Sequence, residues 1–411
     1  MQSLGTGLIV TSVGSMRTRC QRDFDCIRVK SVPGSGQMQP IAPVILTNPD
    51  RPHDGRGPIA DAAPIRFHRN LPGYAPTRVV DAPLLAAELG LARISVKDES
   101  NRLGLPSFKI LGASWALYRL LVGRLGTEPE WTDLEQLRSA FAPLGRLGFV
   151  TATDGNHGRA VAHMAQLLGY RAHILVPAGT AAARIAAIES EGARVTIVDG
   201  TYDDAVVAAA ALATDDVLAV SDTSWPGYTE VPRTVIEGYE TIFAEIDAQL
   251  ADDPPQIVVV PMGVGALAAA AVRHYASTAA MVVVEPLSAA CGLRSAEAGV
   301  PVEVPGPHDS IMAGLNCGFV SIVAWPTVSE GTDVFVAIDD ASAERAMRDL
   351  AAVGVVAGET GAASLAGLRA VAEAGTLDLT DDHALVLCTE GATDPTAYGR
   401  IVGSPPRAPI P

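Results

Sequence analysis

The chain has 411 residues, enough for two or three domains, with 48% apolar residues, 39 glycines and a formal net charge of −16. This composition is typical of an α/β enzyme and argues against a fibrous or disordered protein. The negative net charge argues against nucleic acid or an anionic membrane surface as a partner. The apolar runs are shorter than the roughly 18 residues that span a bilayer, which argues against a membrane-spanning helix. Five scattered cysteines favour a cytoplasmic protein with free thiols, Cys291 and Cys317 included, and we find no Cys/His cluster with metal-ligand spacing.

Residues 1–60 are rich in Pro, Gly and polar residues, so we interpret them as a mobile N-terminal extension. From about residue 84, short apolar runs rich in β-branched residues alternate with Ala-rich segments of helical length. These runs predict nine strands: RISVKD (93–98), GFVTAT (148–153), AHILVP (172–177), ARVTIV (193–198), VLAVSD (217–222), QIVVVP (256–261), MVVVEP (281–286), VFVAID (334–339) and HALVLCT (383–389).

Strands that alternate with helices predict an α/β fold with doubly wound, mostly parallel sheets. Because nine strands exceed one sheet of ordinary size, we expect two α/β domains with the active-site cleft between them. Segments 61–110 and 226–405 are assigned to a large domain, and 111–225 to a small one. In such sheets ligands bind outside the carboxyl ends of the strands, so the loops that follow strands are the informative segments.

Lys109 is conspicuous because the chain has only three lysines among its 30 basic residues. It follows the turn Pro-Ser-Phe and begins an apolar helical segment. A lysine amine can lose its proton and form a Schiff base, which a guanidinium cannot do. The residue type therefore favours covalent catalysis, most often with pyridoxal phosphate, although a lysine lying along the surface near a helix start is the alternative.

Two strand-to-helix loops resemble anion sites. In TATDGNHGRAVA (151–162), residues Thr153 to His157, including Asp154 and Gly155, place free backbone amides at a helix start, which suits a carboxylate. Asn156 can offer its amide to a ring oxygen. In VVVPMGVGALAAAA (258–271), Gly263 and Gly265 would let amides approach a phosphate. The alternatives are an ordinary capped turn in the first loop and a strand-to-helix turn without a ligand in the second.

Two further loops carry short polar side chains. Thr389 and Cys388 end the last strand and could meet a heteroaromatic nitrogen, and Asp222 lies just past another strand end. Each of these residues could instead cap a turn. Together, the four loops and Lys109 indicate a phosphate cradle, a carboxylate cradle, an amide for a ring oxygen and an imine-forming lysine.

This set resembles the tryptophan synthase β-type, or fold type II, family of pyridoxal phosphate enzymes, and within it the diaminopropionate ammonia-lyases. The resemblance covers about residues 64 to 400. It rests on the following segments: FHRNLPGYAPT (67–77), VKDESNRLGLPSFKILGAS (96–114), TATDGNHGRAVA (151–162), DTSWPGY (222–228), GVGALA (263–268), IMAGLNCG (311–318), GETGAASL (358–365) and TEGATDP (389–395).

The resemblance implies roles for individual residues. Lys109 would hold pyridoxal phosphate as a Schiff base, and Asn156 would bind the pyridine 3′-oxygen. The turn of Gly263, Val264, Gly265, Ala266 and Leu267 would bind the phosphate. Thr389 is the candidate for the pyridine nitrogen. Thr153, Asp154, Gly155 and His157 would bind the substrate.

The implied reaction is elimination from 2,3-diaminopropionate, with Cα deprotonation and aminoacrylate on the path to pyruvate and two ammonia. Hydroxyamino-acid dehydratases usually carry a serine where this chain has Asp154, and a carboxylate there can attract the β-ammonium and act as general base. Asp222 offers a second carboxylate, so with Lys109 both enantiomers could be processed. The alternatives are a serine/threonine dehydratase and a non-catalytic ligand-binding protein on the same fold. A homodimer is implied by the family resemblance alone.

Overall fold

The fold is described by a computed structural model, for residues 41–48, 62–153 and 155–407. The described strands are β1 (Val44–Thr47), β2 (Val79–Asp81), β3 (Arg93–Asp98), β4 (Gly148–Ala152), β5 (Arg171–Pro177), β6 (Arg194–Val198), β7 (Val217–Ala219), β8 (Ile257–Pro261), β9 (Ala280–Pro286), β10 (Val334–Ile338) and β11 (His383–Cys388). The α-helices are α1 (Ala63–Arg69), α2 (Pro83–Leu89), α3 (Lys109–Leu125), α4 (Leu134–Phe141), α5 (Asn156–Leu168), α6 (Ala182–Ser190), α7 (Tyr202–Ala211), α8 (Glu230–Gln249), α9 (Ala266–Tyr275), α10 (Cys291–Ala298), α11 (Trp325–Gly331), α12 (Asp340–Ala352), α13 (Ala363–Ala374) and α14 (Pro395–Val402).

The strands form two sheets. The larger has the order β1-β10-β9-β8-β11-β3-β2, and the smaller has the order β6-β5-β4-β7. Strand pairs are parallel except at the two edges of the larger sheet, where β1 and β2 run antiparallel to their neighbours. All nine predicted strands are present, and the predicted α/β class with mostly parallel sheets is confirmed.

Both faces of the larger sheet are covered, which explains its uninterrupted apolar runs. Along β9, Met281 and Val283 belong to one core cluster, whereas Val282 and Val284 belong to another. Successive side chains of a strand point to opposite faces, so a strand buried on both sides must be apolar at every position. All described residues belong to one compact unit, and the predicted division into a large and a small domain stays a prediction.

One part of the predicted N-terminal extension is wrong. Val44–Thr47 form an edge strand that pairs with β10, and the Asn48 side chain donates to the backbone oxygens of Ser329 and Thr332 at 2.7 and 2.8 Å. Four residues are too short for their apolar pattern to stand out in a segment rich in Pro and Gly. The rest of the predicted extension lies outside the described residues, apart from residues 41–43 and 48.

The chain brings its chemistry to the carboxyl ends of strands from both sheets. The loops that follow β4 and β7 come from the smaller sheet, and those that follow β8 and β11 come from the larger one. Helix α3, which begins at Lys109, packs against α5 and against α8. Lys109 therefore lies where helices connected to the two sheets meet.

Candidate active site

A single cavity gathers most of the predicted site residues. Its lining includes Lys109, Asn156, Asp222, the whole turn from Gly263 to Leu267, and Thr389. These residues come from five separate loops or helix starts, spread over about 280 positions of sequence. Loops that follow parallel strands end at one edge of a sheet, so their convergence is a property of the fold.

Lys109 is paired with a carboxylate inside this cavity. Its Nζ donates to Asp222 Oδ2 at 2.7 Å, and the Lys109 side chain is 19% exposed while that of Asp222 is 6% exposed. Burial alone raises the pKa of Asp222, but the Lys109 ammonium and the His157 ring outweigh it and hold the pKa of this carboxyl well below its usual range. Asp222 is therefore an anion in the wall of the cavity.

The sequence DTSWPGY folds into a turn that fixes Asp222. Trp225 and Tyr228 pair their backbones around Pro226 and Gly227, and their rings stack at 4.1 Å. Gly227 has φ of 88°, which a residue without Cβ adopts readily. The Tyr228 hydroxyl donates to the Ala219 oxygen and accepts from the Ser221 amide, both at 2.9 Å. These two hydrogen bonds connect the turn to the end of β7 and so hold the backbone next to Asp222 in place.

The turn from Gly263 to Leu267 has the geometry of a phosphate cradle. Gly265 has φ of +100° and precedes the first residue of α9, whose N-terminal amides favour an anion. A Cβ on Gly263 would lie 3.0 Å from the Gly314 oxygen and 3.1 Å from Cys317 Sγ. Close packing therefore favours glycine at position 263, and the positive φ favours glycine at position 265.

Asn156, at the start of α5, is oriented by a residue that sequence reasoning missed. Its side-chain amide donates to Glu390 Oε2, and Glu390 Oε1 accepts from the Thr360 amide at 3.3 Å. Glu390 is 1% exposed and lines the cavity. The signal was its position beside Thr389 in the motif TEGATDP, but a carboxylate at a turn is not distinguishable there from a cap.

Three of the four predicted substrate-binding residues, Thr153, Gly155 and His157, are not part of the cavity lining. The Thr153 hydroxyl accepts from the Gly155 and Gly158 amides at 2.9 and 3.0 Å, which secures the start of α5. His157 is buried, with Nε2 2.8 Å from the Val220 oxygen. These residues do not line the cavity, and their role toward the substrate stays a prediction. Asp154, the fourth, lies outside the described residues.

Two more cavity residues complete the site. Tyr202, the first residue of α7, donates from its hydroxyl to Asp222 Oδ1 at 3.3 Å, and sequence reasoning missed it because α7 showed no functional motif. The Thr389 hydroxyl is 3.5 Å from the Thr360 oxygen, and its role toward a ring nitrogen stays a prediction. The site therefore contains more hydrogen-bonding side chains than the sequence indicated.

Other features of the described residues bear on the remaining predictions. Cys291, Cys317 and Cys388 are buried free thiols. Among the residues with described coordinates, no group of three or more His, Cys, Asp or Glu side chains could hold a metal ion. None of the described helices is both long and apolar enough to cross a membrane.

Comparison with known proteins identifies the family. Residues 71–389 match the family described as pyridoxal-phosphate dependent enzyme. The chain belongs to this family. It is similar to the diaminopropionate ammonia-lyase of Salmonella typhimurium, with 36% identity over 365 residues that cover 82% of this chain and 90% of that protein. It is also similar to the biosynthetic L-threonine dehydratase of Mycobacterium bovis, with 30% identity over 344 residues that cover 81% and 72% of the two chains.

A solved structure supports the same assignment. The crystal structure of diaminopropionate ammonia lyase from Escherichia coli in complex with D-serine matches with a TM-score of 0.81 and 32% identity, covering 88% of this chain and 96% of that one. The predicted resemblance to the diaminopropionate ammonia-lyases is thereby confirmed. The predicted cofactor, pyridoxal phosphate, is confirmed by membership of the family.

The donor set of the cavity fits this cofactor. Gly263 and Gly265 leave a cradle that a Cβ would fill or distort, next to the amides of α9. Lys109 offers the amine, and Asn156 has an amide nitrogen with two hydrogens, one of which is used by Glu390. A phosphate, an aldehyde carbon and a ring oxygen would each find a suitable group.

Proposed function

We propose that this chain catalyses the pyridoxal-phosphate-dependent α,β-elimination of 2,3-diaminopropionate to pyruvate and two ammonia. The observation that carries the proposal is the buried carboxylate of Asp222, 2.7 Å from Lys109 Nζ, in the cavity that also contains the phosphate cradle. A lysine amine, an anion and a phosphate site within one cavity are the groups that this reaction requires.

The residues that would hold the cofactor are Lys109, Asn156, the turn from Gly263 to Leu267, and Thr389. When bound, pyridoxal phosphate supplies an electron sink for the negative charge left at Cα after proton loss. The chain's own residues do the rest. The amides at the start of α9 would bind the phosphate dianion, and Asn156, held by Glu390, would orient the ring.

The charge of the cavity favours an amine over a hydroxyl as the leaving group. The β-substituent of diaminopropionate is cationic, whereas that of serine or threonine is neutral. An ionised, buried Asp222 attracts an ammonium and gives no comparable advantage to a hydroxyl. Asp154 remains the predicted general base for one face of Cα, with Lys109 or Asp222 serving the other face. The hydroxyamino-acid dehydratase reading is the less favoured alternative.

The test is an assay of ammonia and pyruvate with D- and L-2,3-diaminopropionate, serine and threonine at equal enzyme loading. We expect kcat/KM for at least one diaminopropionate isomer to exceed that for either hydroxyamino acid by tenfold or more. A higher kcat/KM for serine or threonine would establish the dehydratase instead. No turnover of any of the four, with cofactor bound, would favour a ligand-binding protein.

We further propose a cytoplasmic homodimer with two domains, 61–110 with 226–405 and 111–225. Scattered free cysteines support the location, and the family resemblance supports the dimer. Light scattering of the holoenzyme would give the oligomeric state directly, and a monomer would contradict this proposal.

A further inference from the structure

His157 has one ring nitrogen whose hydrogen bond is fixed and one that faces a carboxylate. Nε2 lies 2.8 Å from the Val220 backbone oxygen, and Nδ1 lies 3.8 Å from Asp222 Oδ2. Within the described part of the chain, Nδ1 is buried without a hydrogen-bond partner. A buried nitrogen without a partner costs free energy, so its orientation toward Asp222 calls for an explanation.

The backbone contact determines where the first ring proton is. A carbonyl oxygen can only accept, so Nε2 must carry hydrogen. A neutral His157 would then present the lone pair of Nδ1 to the carboxylate of Asp222, and the two would repel. Attraction requires one more proton, either on Nδ1 or on the carboxyl group of Asp222.

The same oxygen of Asp222 faces nitrogen atoms of two side chains. Oδ2 accepts from Lys109 Nζ at 2.7 Å and lies just beyond hydrogen-bond distance of His157 Nδ1. Once the Lys109 nitrogen is used to hold the cofactor, it would have at most one hydrogen left to donate, in place of the three of the free ammonium. Among the described residues, His157 is then the side chain next to this oxygen that can become a cation. Its Nδ1 would have to move by less than about 1 Å to reach the usual N–H···O distance.

We infer that His157 and Asp222 share one proton, and that His157 is a positioning residue for Asp222 and not a contact for the substrate. With Asp222 ionised, the proton is on Nδ1 and the pair is an imidazolium and a carboxylate. When Asp222 is protonated, the Nδ1–H bond breaks, the Oδ2–H bond forms and the ring becomes neutral. This transfer moves the proton within the pair and leaves the net charge of the pair unchanged.

The other titratable groups around the pair do not replace His157. Tyr202 from α7, Tyr228 from the turn after Asp222, and Tyr239 from α8 all carry hydroxyls. Burial raises the pKa of Tyr228 and of Tyr239, so both remain neutral at physiological pH. Among the described residues, Lys109 is the other basic side chain that acts on Asp222, and it is the residue used by the cofactor.

The first test reads the proton directly and does not depend on turnover. The chain has eight histidines, so the signal of His157 in ¹⁵N-histidine-labelled holoenzyme is identified by its absence in His157→Gln. We expect Nδ1 of His157 to carry a proton at neutral pH, and to lose it in Asp222→Asn. An unprotonated Nδ1 in the wild-type holoenzyme, or the same Nδ1 state in both proteins, overturns the inference.

The second test separates positioning from structure and rests on the proposed function. His157→Gln should lower kcat about tenfold or more, within the coupling range of residues in contact, and should change the pH profile of kcat/KM. In Asp222→Asn the same substitution should have no further effect. Equal fold losses in both backgrounds contradict the inference. His163→Gln, on the same helix but paired with Glu191 at 2.8 Å, is the matched control and should leave kcat and the His157 signal unchanged.

The two proposals fail separately. A protonated Nδ1 that depends on Asp222, in a protein that turns over none of the four amino acids, would support the shared proton and refute the proposed reaction. Turnover of diaminopropionate, with an Nδ1 signal that is the same in wild type and in Asp222→Asn, would support the proposed reaction and refute the shared proton. If His157→Gln does not fold, His157→Asn identifies the His157 signal in its place, and the comparison of Asp222→Asn with wild type still decides the inference.

Discussion

A buried group of four charged side chains lies just ahead of the loop that leads to Lys109. Arg102 contacts Glu99 at 2.6 Å and Glu245 at 2.6 Å, and Lys97 contacts Glu245 at 2.8 Å. None of the four side chains is more than 1% exposed. Two cations balance two anions, so the group is neutral only when complete.

Replacing Glu245 with Gln should destabilise the protein severely. Glu245 accepts hydrogen bonds from Tyr74, from the Thr77 amide, from Lys97 and from two nitrogens of Arg102. In Glu245→Gln, Lys97 and Arg102 would face Glu99 as the remaining anion of the group. The new amide N–H would also point at groups that themselves donate hydrogen bonds. Breaking a buried ion pair from one side costs about 3–5 kcal/mol, and we expect a loss of that size in the free energy of unfolding.

Urea unfolding followed by circular dichroism, with cofactor bound, measures this loss. The matched control is Glu297→Gln, which removes the partner of Arg294 in an exposed pair of 2.7 Å, with 49% and 40% exposure. Such surface pairs contribute about 0–1 kcal/mol. Equal, small losses in the two variants would show that the buried group does not behave as a balanced ionic unit, and would refute the reasoning.

Lys109→Arg should give folded protein without the visible absorbance of lysine-bound pyridoxal phosphate, and a visible band in this variant that borohydride abolishes would show a Schiff base at another lysine and contradict the role of Lys109. Asp154→Asn should lower kcat for one diaminopropionate isomer by about 10² to 10⁴-fold with full cofactor loading, and equal losses for both isomers would argue against a base on one face. Burial raises the pKa of Glu285 from 4.5 to about 7, although hydrogen bonds from two backbone amides act to lower it. Its contribution to stability is therefore present below pH 4.5 and is lost as the pH rises through about 7. The free energy of unfolding of wild type, measured against Glu285→Gln by urea titration, should therefore fall over that range, and a constant difference would contradict the shift. Deleting residues 1–40 should leave activity and melting temperature nearly unchanged, whereas deleting 1–48 removes β1 and should cost roughly 2 kcal/mol of stability by loss of half-buried apolar side chains. Equal melting temperatures for the two truncations would show that β1 adds no stability.

The sequence predicted features whose cause is local. Each buried parallel strand is an apolar run because both of its faces are covered, and each site loop follows such a strand. The Gly263 turn could be located because a strand end, a glycine and a helix start are nearly contiguous there, and Lys109 could be located because lysine is rare in this chain. The short strand β1 could not, because its support comes from pairing with β10, almost 300 residues away.

Residues that act through distant partners were missed or misjudged. Glu390 orients Asn156 across 234 positions, and no local pattern reveals the pair. Lys97 lies near the end of the predicted strand RISVKD, and its side chain is fully buried against Glu245, 148 positions away. A charged residue in a strand is usually exposed, so only knowledge of the partner can reverse that expectation.

The two described lysines show why an ion pair does not by itself identify a reactive amine. Lys97 and Lys109 lie 2.8 and 2.7 Å from a carboxylate, so their electrostatic partners are alike. Lys97, however, is 0% exposed, and its Nζ also donates to the Thr77 oxygen and to Gln249. With the bond to Glu245, all three hydrogens of the Lys97 ammonium are used. Lys109 is 19% exposed and lines the cavity that holds the phosphate cradle.

An amine that must attack a carbonyl carbon needs access to it, and Lys97 would have to break a neutral buried cluster to gain that access. Replacing Lys97 should therefore lower stability without removing the cofactor band, and a lost band in a folded Lys97 variant would show that the two lysines had been assigned the wrong way round.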